Sequence, residues 1–294
     1  YRTTGGGGFN QPATATVGKN PPNGVVVNYW LKNKVAKEVT LEFVDNMGGL
    51  IRKFTKRPEG PDGQTPPAAP GETPVPADAG LNTFVWNFRR SNATNVTPPA
   101  ILWAGSLNGP RIPPGDYEVI LTVDGKQVGR QKFVVKEDPR VPVTQEDLQA
   151  QYELMTKIGS KINDTHAAIT EIRDLKSQLE GVQKRIKGDK ALSDMASDIS
   201  KKLAAVEEAL IQTKIRSGQD ALNFPIRLNN KLAALSSSID SADAPPTAQQ
   251  MAVWNELSAQ VDAHLAELAR IKSTQLAEFN KQYAAKGLPV VSGK

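Results

Sequence analysis

The spacing of apolar residues changes once along this chain, near Pro142, and that change limits what each part can fold into. Before it, short apolar runs are set off by Gly and Pro, and several alternate with period two. Val39, Leu41 and Phe43 take one side of such a run, with Thr40, Glu42 and Val44 on the other. After it, Ala, Leu, Lys, Glu and Gln dominate, and apolar positions recur every three or four residues. The chain therefore reads as two domains joined by the proline-stiffened segment 136–144.

In the first part, strands are expected over 25–32, 38–45, 50–55, 81–88, 116–124 and 127–136, with turn residues at 45–49 and 124–126. Six or seven short strands of this kind predict a small antiparallel β-sandwich, immunoglobulin-like, over 21–138, after a flexible lead-in at 1–20 that includes Gly5 to Gly8. Two long loops interrupt it. The Pro/Gly/Ala-rich 58–80 is expected to be a mobile excursion, and 89–115, which carries Trp103, to dock on something. Trp30 and Trp86 sit in apolar strands and are expected in the core.

The second part is expected to be helical over 139–285, with a tail at 286–294. Met155, Ile158, Ile162, Thr165, Ile169, Ile172, Leu179 and Ile186 form one stripe. Leu192, Met195, Ile199, Leu203, Val206 and Leu210 form another, and Trp254, Leu257, Val261, Leu265, Leu268, Leu276 and Phe279 a third. Breaks at Gly188–Asp189, Ser217–Gly218 and 241–247 give four helices, packed as an antiparallel bundle or long hairpins. In "LNFPIRLNNKLAAL", Leu228, Leu232, Leu235 and Ile239 keep helical time. Pro225 suits a first helical turn and Asn223 its cap. Arg227, Asn229, Asn230 and Lys231 lie off that stripe, expected to hydrogen-bond to the neighbouring helix or the strand domain in preference to a ligand.

Charge and composition narrow the function classes. The 36 basic and 31 acidic residues leave a net charge of +5, spread too thinly for a nucleic-acid binder. The densest basic cluster, 184–190, reads as a solvated turn between helices. No apolar run approaches the roughly 20 residues needed to span a bilayer. The absence of cysteine removes disulfides, thiolate metal sites and a cysteine nucleophile. The start at Tyr1, with neither methionine nor signal sequence, suggests a processed product or the ordered part of something longer.

Catalytic patterns are lacking. His166 and His264 are isolated and belong to no metal-ligand spacing. A glycosidase needs two carboxyls about 5–10 Å apart. The adjacent pairs, Glu171 with Asp174 and Glu207 with Glu208, have basic neighbours and read as solvated helix faces. Acceptor patterns for N-glycosylation begin at Asn92, Asn95 and Asn163, with Pro98 disfavouring the second. No catalytic, cofactor or metal residue is assigned.

The segments "AGLNTFVWNFR" (79–89), "LNGPRIPPGDYEVILTVDGK" (107–126), "KEDPRV" (136–141) and "ALNFPIRLNNKLAAL" (221–235) resemble one bacterial family. It is the C-terminal region of large secreted proteins with sortilin-like BNR (Asp-box) β-propellers, labelled glycosyl hydrolases. The likeness covers 21–283. The first half also resembles the immunoglobulin-like module of flagellar hook-capping proteins, where a Trp and a Pro-Pro-Gly-x-Tyr segment recur. The resemblance implies a propeller upstream, and a hydrolase site assigned to that propeller has no residue here. It implies a non-catalytic accessory module, secreted or in the cell envelope, that packs on the propeller or another protein subunit. A structural subunit of an envelope assembly is the alternative, anchored through Trp103, Trp254 or the long loops. A glycoside hydrolase or carbohydrate-binding protein, with a glycan on Trp30, Trp86 or Trp103, is the lesser one. Trp103, Arg111, Arg227, Asn229 and Asn230 are the residues expected to make interactions.

Overall fold

The computed structural model describes residues 21–58, 73–97, 102–186, 188–286 and 291–293. The expected lead-in at 1–20 and most of the loop at 58–80 lie outside the described residues. Antiparallel sheets come first and helices follow. The strands are β1 (Val25–Leu31), β2 (Val39–Asp45), β3 (Leu50–Thr55), β4 (Gly80–Trp86), β5 (Gly115–Val123) and β6 (Lys126–Val135). They pair as a four-stranded sheet of order β3-β2-β5-β6 and a two-stranded sheet of β1 and β4. The β5–β6 hairpin turns at Asp124 and Gly125, both in the left-handed region at φ 49° and 76°, as a tight turn matched to strand twist requires.

The two sheets share one apolar core. Phe43 of β2 stacks on Trp86 of β4 with ring centroids 4.2 Å apart, and Phe54 of β3 meets Phe84 of β4 at 4.8 Å. Val39, Leu41 and Phe43 are fully buried, in the alternation their spacing predicts. Val75 and Ala77, the described end of the first long loop, are buried in the same core. Tyr117 stacks on Phe133, and its hydroxyl donates to the Pro113 carbonyl at 2.7 Å. Burial, more than the neighbouring Tyr152 and Asp45, pushes that hydroxyl up to about 12.

Trp30 departs from expectation. It is 72% exposed, whereas Trp86 is buried as predicted. Tyr29 and Leu31 face the core, so the residue between them faces out. Both faces of β1 are apolar in sequence, which hides the alternation.

The helices are α1 (Gln145–Arg185), α2 (Lys190–Leu210), α3 (Leu228–Ile239), α4 (Ala248–Ile271) and α5 (Ala277–Ala284). A π turn, Lys272–Leu276, joins α4 to α5 without a break, so the described residues hold four α-helical stretches. Asp189 caps α2, accepting from the Leu192 N–H at 3.1 Å, and Thr247 with Gln250 forms a reciprocal capping box on α4. The expected stripes are the buried faces, and Leu175 and Val182 fill the two seven-residue gaps of the first, between Ile172, Leu179 and Ile186.

The start of α3 corrects the sequence reading. Pro225 does not lie in its first turn, and Asn223 does not cap it. Asp220 and Ser217 bond reciprocally and draw Gly218–Leu222 into a separate 3₁₀ turn that Asn223 closes. Pro225 disfavours helical geometry at Phe224 before it, so α3 begins at Leu228 with Arg227 at the cap position.

Two compact units result. One comprises the chain to Ser91 together with Pro110–Tyr152, the other Asn92–Gly109 together with Glu153–Lys294. The sequence reading puts one break at 138/139, but the segment Asn92–Gly109 belongs with the helices. Removing Trp86 empties the centre of the sheet core. Trp86→Ala is expected to lower stability by about 3–5 kcal/mol, read from the urea midpoint.

Candidate interaction sites

The described residues 92–97 and 102–109 form an irregular strap on the helical unit. Irregular backbone against helices needs partners for its amides and carbonyls, and side chains from α1 and α3 supply them. On α1, Asn163 Oδ1 accepts from the Thr94 N–H and hydroxyl at 2.7 and 3.0 Å. Asn230 of α3 accepts from the Trp103 N–H at 3.0 Å and donates to the Trp103 carbonyl at 2.7 Å. Gly105 lies so close to Ala233 that an added Cβ would stand 2.8 Å from the Ala233 methyl. Between them Ala104 takes φ 55°, a strained left-handed conformation for a residue with a Cβ. Val96 is buried in the helical core, and Leu102 and Leu107 pack against it.

His166 of α1 is 1% exposed and completes the strap's fixation. Its Nδ1 lies 2.5 Å from the Thr94 carbonyl, so Nδ1 carries the proton and donates. Its Nε2 is then the acceptor for the Asn229 amide, 3.4 Å away. Burial lowers its pKa; the Thr94 carbonyl opposes this, and the Arg173 charge adds to the lowering. The ring is therefore a neutral connector. Trp103 remains 49% exposed, its main chain held while its indole meets solvent.

The five residues expected to interact are divided between the units. Trp103, Asn229 and Asn230 come together, with the asparagines as internal supports. Arg227 is exposed at the α3 cap, and its side chain makes no cap bond. Arg111 lies in the sheet unit, where its backbone bridges Arg89. Trp254 is partly buried against the helical core.

The sheet unit carries the surface that sequence reading missed. On the outward side of β1 and β4, Trp30 pairs with Leu81, Asn28 with Thr83 and Val26 with Val85. Leu81 is 69% exposed, and Val26 is also open. The Thr83 hydroxyl donates to Asn28 Oδ1 at 2.8 Å, so the polar pair is closed on itself between two apolar rows. Neither strand contains a charged residue. An open Trp beside an open Leu on an uncharged face is a candidate contact surface.

Of the adjacent carboxyl pairs, Glu207 and Glu171 stand in ion pairs, and Glu207 is buried where a solvated helix face was expected. Glu207 is buried between Arg173 and Lys176, at 2.7 and 2.9 Å. Burial pushes its pKa up, but the hydrogen bonds from Arg173 and Lys176 outweigh that and leave it below the ordinary value. A carboxyl so held has no proton to give as a general acid. Glu171 pairs with Lys272. Among the described residues no three His, Cys, Asp or Glu side chains gather as a metal site, and no helix is long and apolar enough to cross a membrane. Comparison with protein-family models, curated proteins and solved structures finds no match to this chain.

The buried histidine makes stability pH-dependent. Unfolded His166 takes up a proton as pH falls through about 6.5, while the folded ring does so only at lower pH. Across that window the unfolded state binds more protons, so stability falls with acidification. The urea midpoint of the native protein is expected to drop between about pH 7.5 and 5.5 by more than that of His166→Gln. Asn230→Ala leaves the Trp103 N–H and carbonyl without their side-chain partner. It is expected to cost about 1–3 kcal/mol and to accelerate hydrogen exchange at Trp103.

Proposed function

We propose that this chain is a non-catalytic interaction module of a larger secreted propeller protein, docking on the propeller or a partner subunit through the outward side of β1 and β4. The observation that carries this reading is Trp30, 72% exposed beside Leu81 on a sheet without charge. Aromatic anchors flanked by aliphatic contacts concentrate the binding energy of protein interfaces. The strap offers a second anchor, Trp103, whose main chain is already ordered and loses little freedom on binding. The family resemblance over 21–283 supports the propeller as partner and an extracytoplasmic setting. The shared core of the two sheets supports an immunoglobulin-like sandwich, and the shared core of the four helical stretches a bundle.

A glycan is the second reading. It is favoured by the same open indole and by the adjacent Asn28–Thr83 pair. The aliphatic character of Val26, Leu81 and Val85 and the mutual bond of the polar pair weigh towards protein.

Oxidative footprinting separates these. In the isolated chain Trp30 and Leu81 should label readily, and in material purified intact from its source both should be protected. Equal labelling in the two preparations would remove the docking reading. Quenching of tryptophan fluorescence by oligosaccharides, lost in Trp30→Ala, would shift the assignment to glycan.

A further inference from the structure

We infer that the β1–β4 sheet is completed by an extended strand that the docking partner donates. The inference rests on the docking reading and names the form of the partner's contact.

A sheet edge presents unpaired N–H and C=O groups, a template for another strand. Among the described residues β1 and β4 make ladder bonds only to each other, so each has an open edge. Proteins ordinarily guard such edges with charge, Lys above all. The outer strands of the four-stranded sheet follow that rule. β3 carries Arg52 and Lys53, and β6 carries Lys126, Arg130 and Lys132. β1 and β4 carry none across seven residues each. Among the described residues of one unit, two edges are guarded and two are left receptive.

The core is unfinished in the same sense. Val39, Leu41 and Phe43 on β2 are fully buried and Tyr117 and Val119 on β5 are buried, but Leu121 and Val123 on β5 and Phe133 and Val135 on β6 are only partly buried. A two-stranded sheet does not cover the inward side of four strands, and one more strand beside it supplies the missing apolar side chains. The chemistry of the donor follows. It is an uncharged segment of about seven residues, matched to β1, with apolar and preferably β-branched residues at alternate positions. Main-chain bonds give the affinity, and the alternate side chains give the specificity.

Hydrogen exchange read by NMR on the whole chain tests this, with an end-blocked peptide of alternating Val and Thr, seven residues long to match β1, as the probe. In the chain alone, the amides of β1 and β4 that point away from the ladder should exchange freely. With millimolar peptide those on one strand should slow by at least about tenfold. The double variant Asn28→Lys, Thr83→Lys, both exposed positions, should abolish the slowing while keeping the amide spectrum of the fold. Edge amides already protected in the chain alone, or unmoved by the peptide, overturn the proposal. If the source material protects Trp30 and Leu81 from labelling but leaves the edge amides free, docking stands and strand donation falls.

Discussion

The stack of Trp86 on Phe43 is the contact on which the sheet unit depends. It brings the central strand of the larger sheet against the smaller one, and Phe54, Phe84 and Phe133 arrange themselves around it. The inequality of the sheets then has a consequence. Four strands offer more inward apolar area than two can cover, so burial is complete at β2 and declines towards β5 and β6. The same two strands leave Trp30 and Leu81 in water on their other side. Apolar area left in water is area that burial against a partner would stabilise.

The helical unit solves a different problem, the burial of irregular backbone. Its recurring device is a side-chain amide that pairs with both the N–H and the C=O of one residue. Asn230 does this for Trp103, Asn280 for Val291 and Gln178 for Ser292. An amide offers one acceptor and two donors in a fixed plane, which suits it to both groups of an extended residue. Val291 is buried in the helical core as a result, although it falls in what the sequence suggests is a tail.

Much of the architecture was readable because periodicity reports it directly. The strand positions, the turn at Asp124–Gly125 and the helical stripes through Ile162, Leu203 and Val261 all follow from spacing. What could not be read depended on partners distant in sequence. Asn229 and Asn230 were expected to bond to a neighbouring element, and they do, but spacing could not name His166 and the Trp103 main chain as the partners. Trp30 looks like core because Val26, Tyr29 and Leu31 around it are apolar too, so parity gives no sign of which face meets water. The 3₁₀ turn before α3 arose from a local competition that Asp220 wins over Asn223, and propensity alone does not rank those two. Of the candidate surfaces, Trp103 was visible as an aromatic in a long loop. The open β1–β4 face required the strand pairing.

The proposed role is to hold a partner, so the protein's state in its source is the decisive observable. Native mass spectrometry of the protein purified gently from that source reads that state. The expected species is heavier than the 31.7 kDa of this chain and contains additional polypeptide, as a longer chain or a bound subunit. A species of 31.7 kDa alone, with no associated polypeptide, would contradict the proposed role.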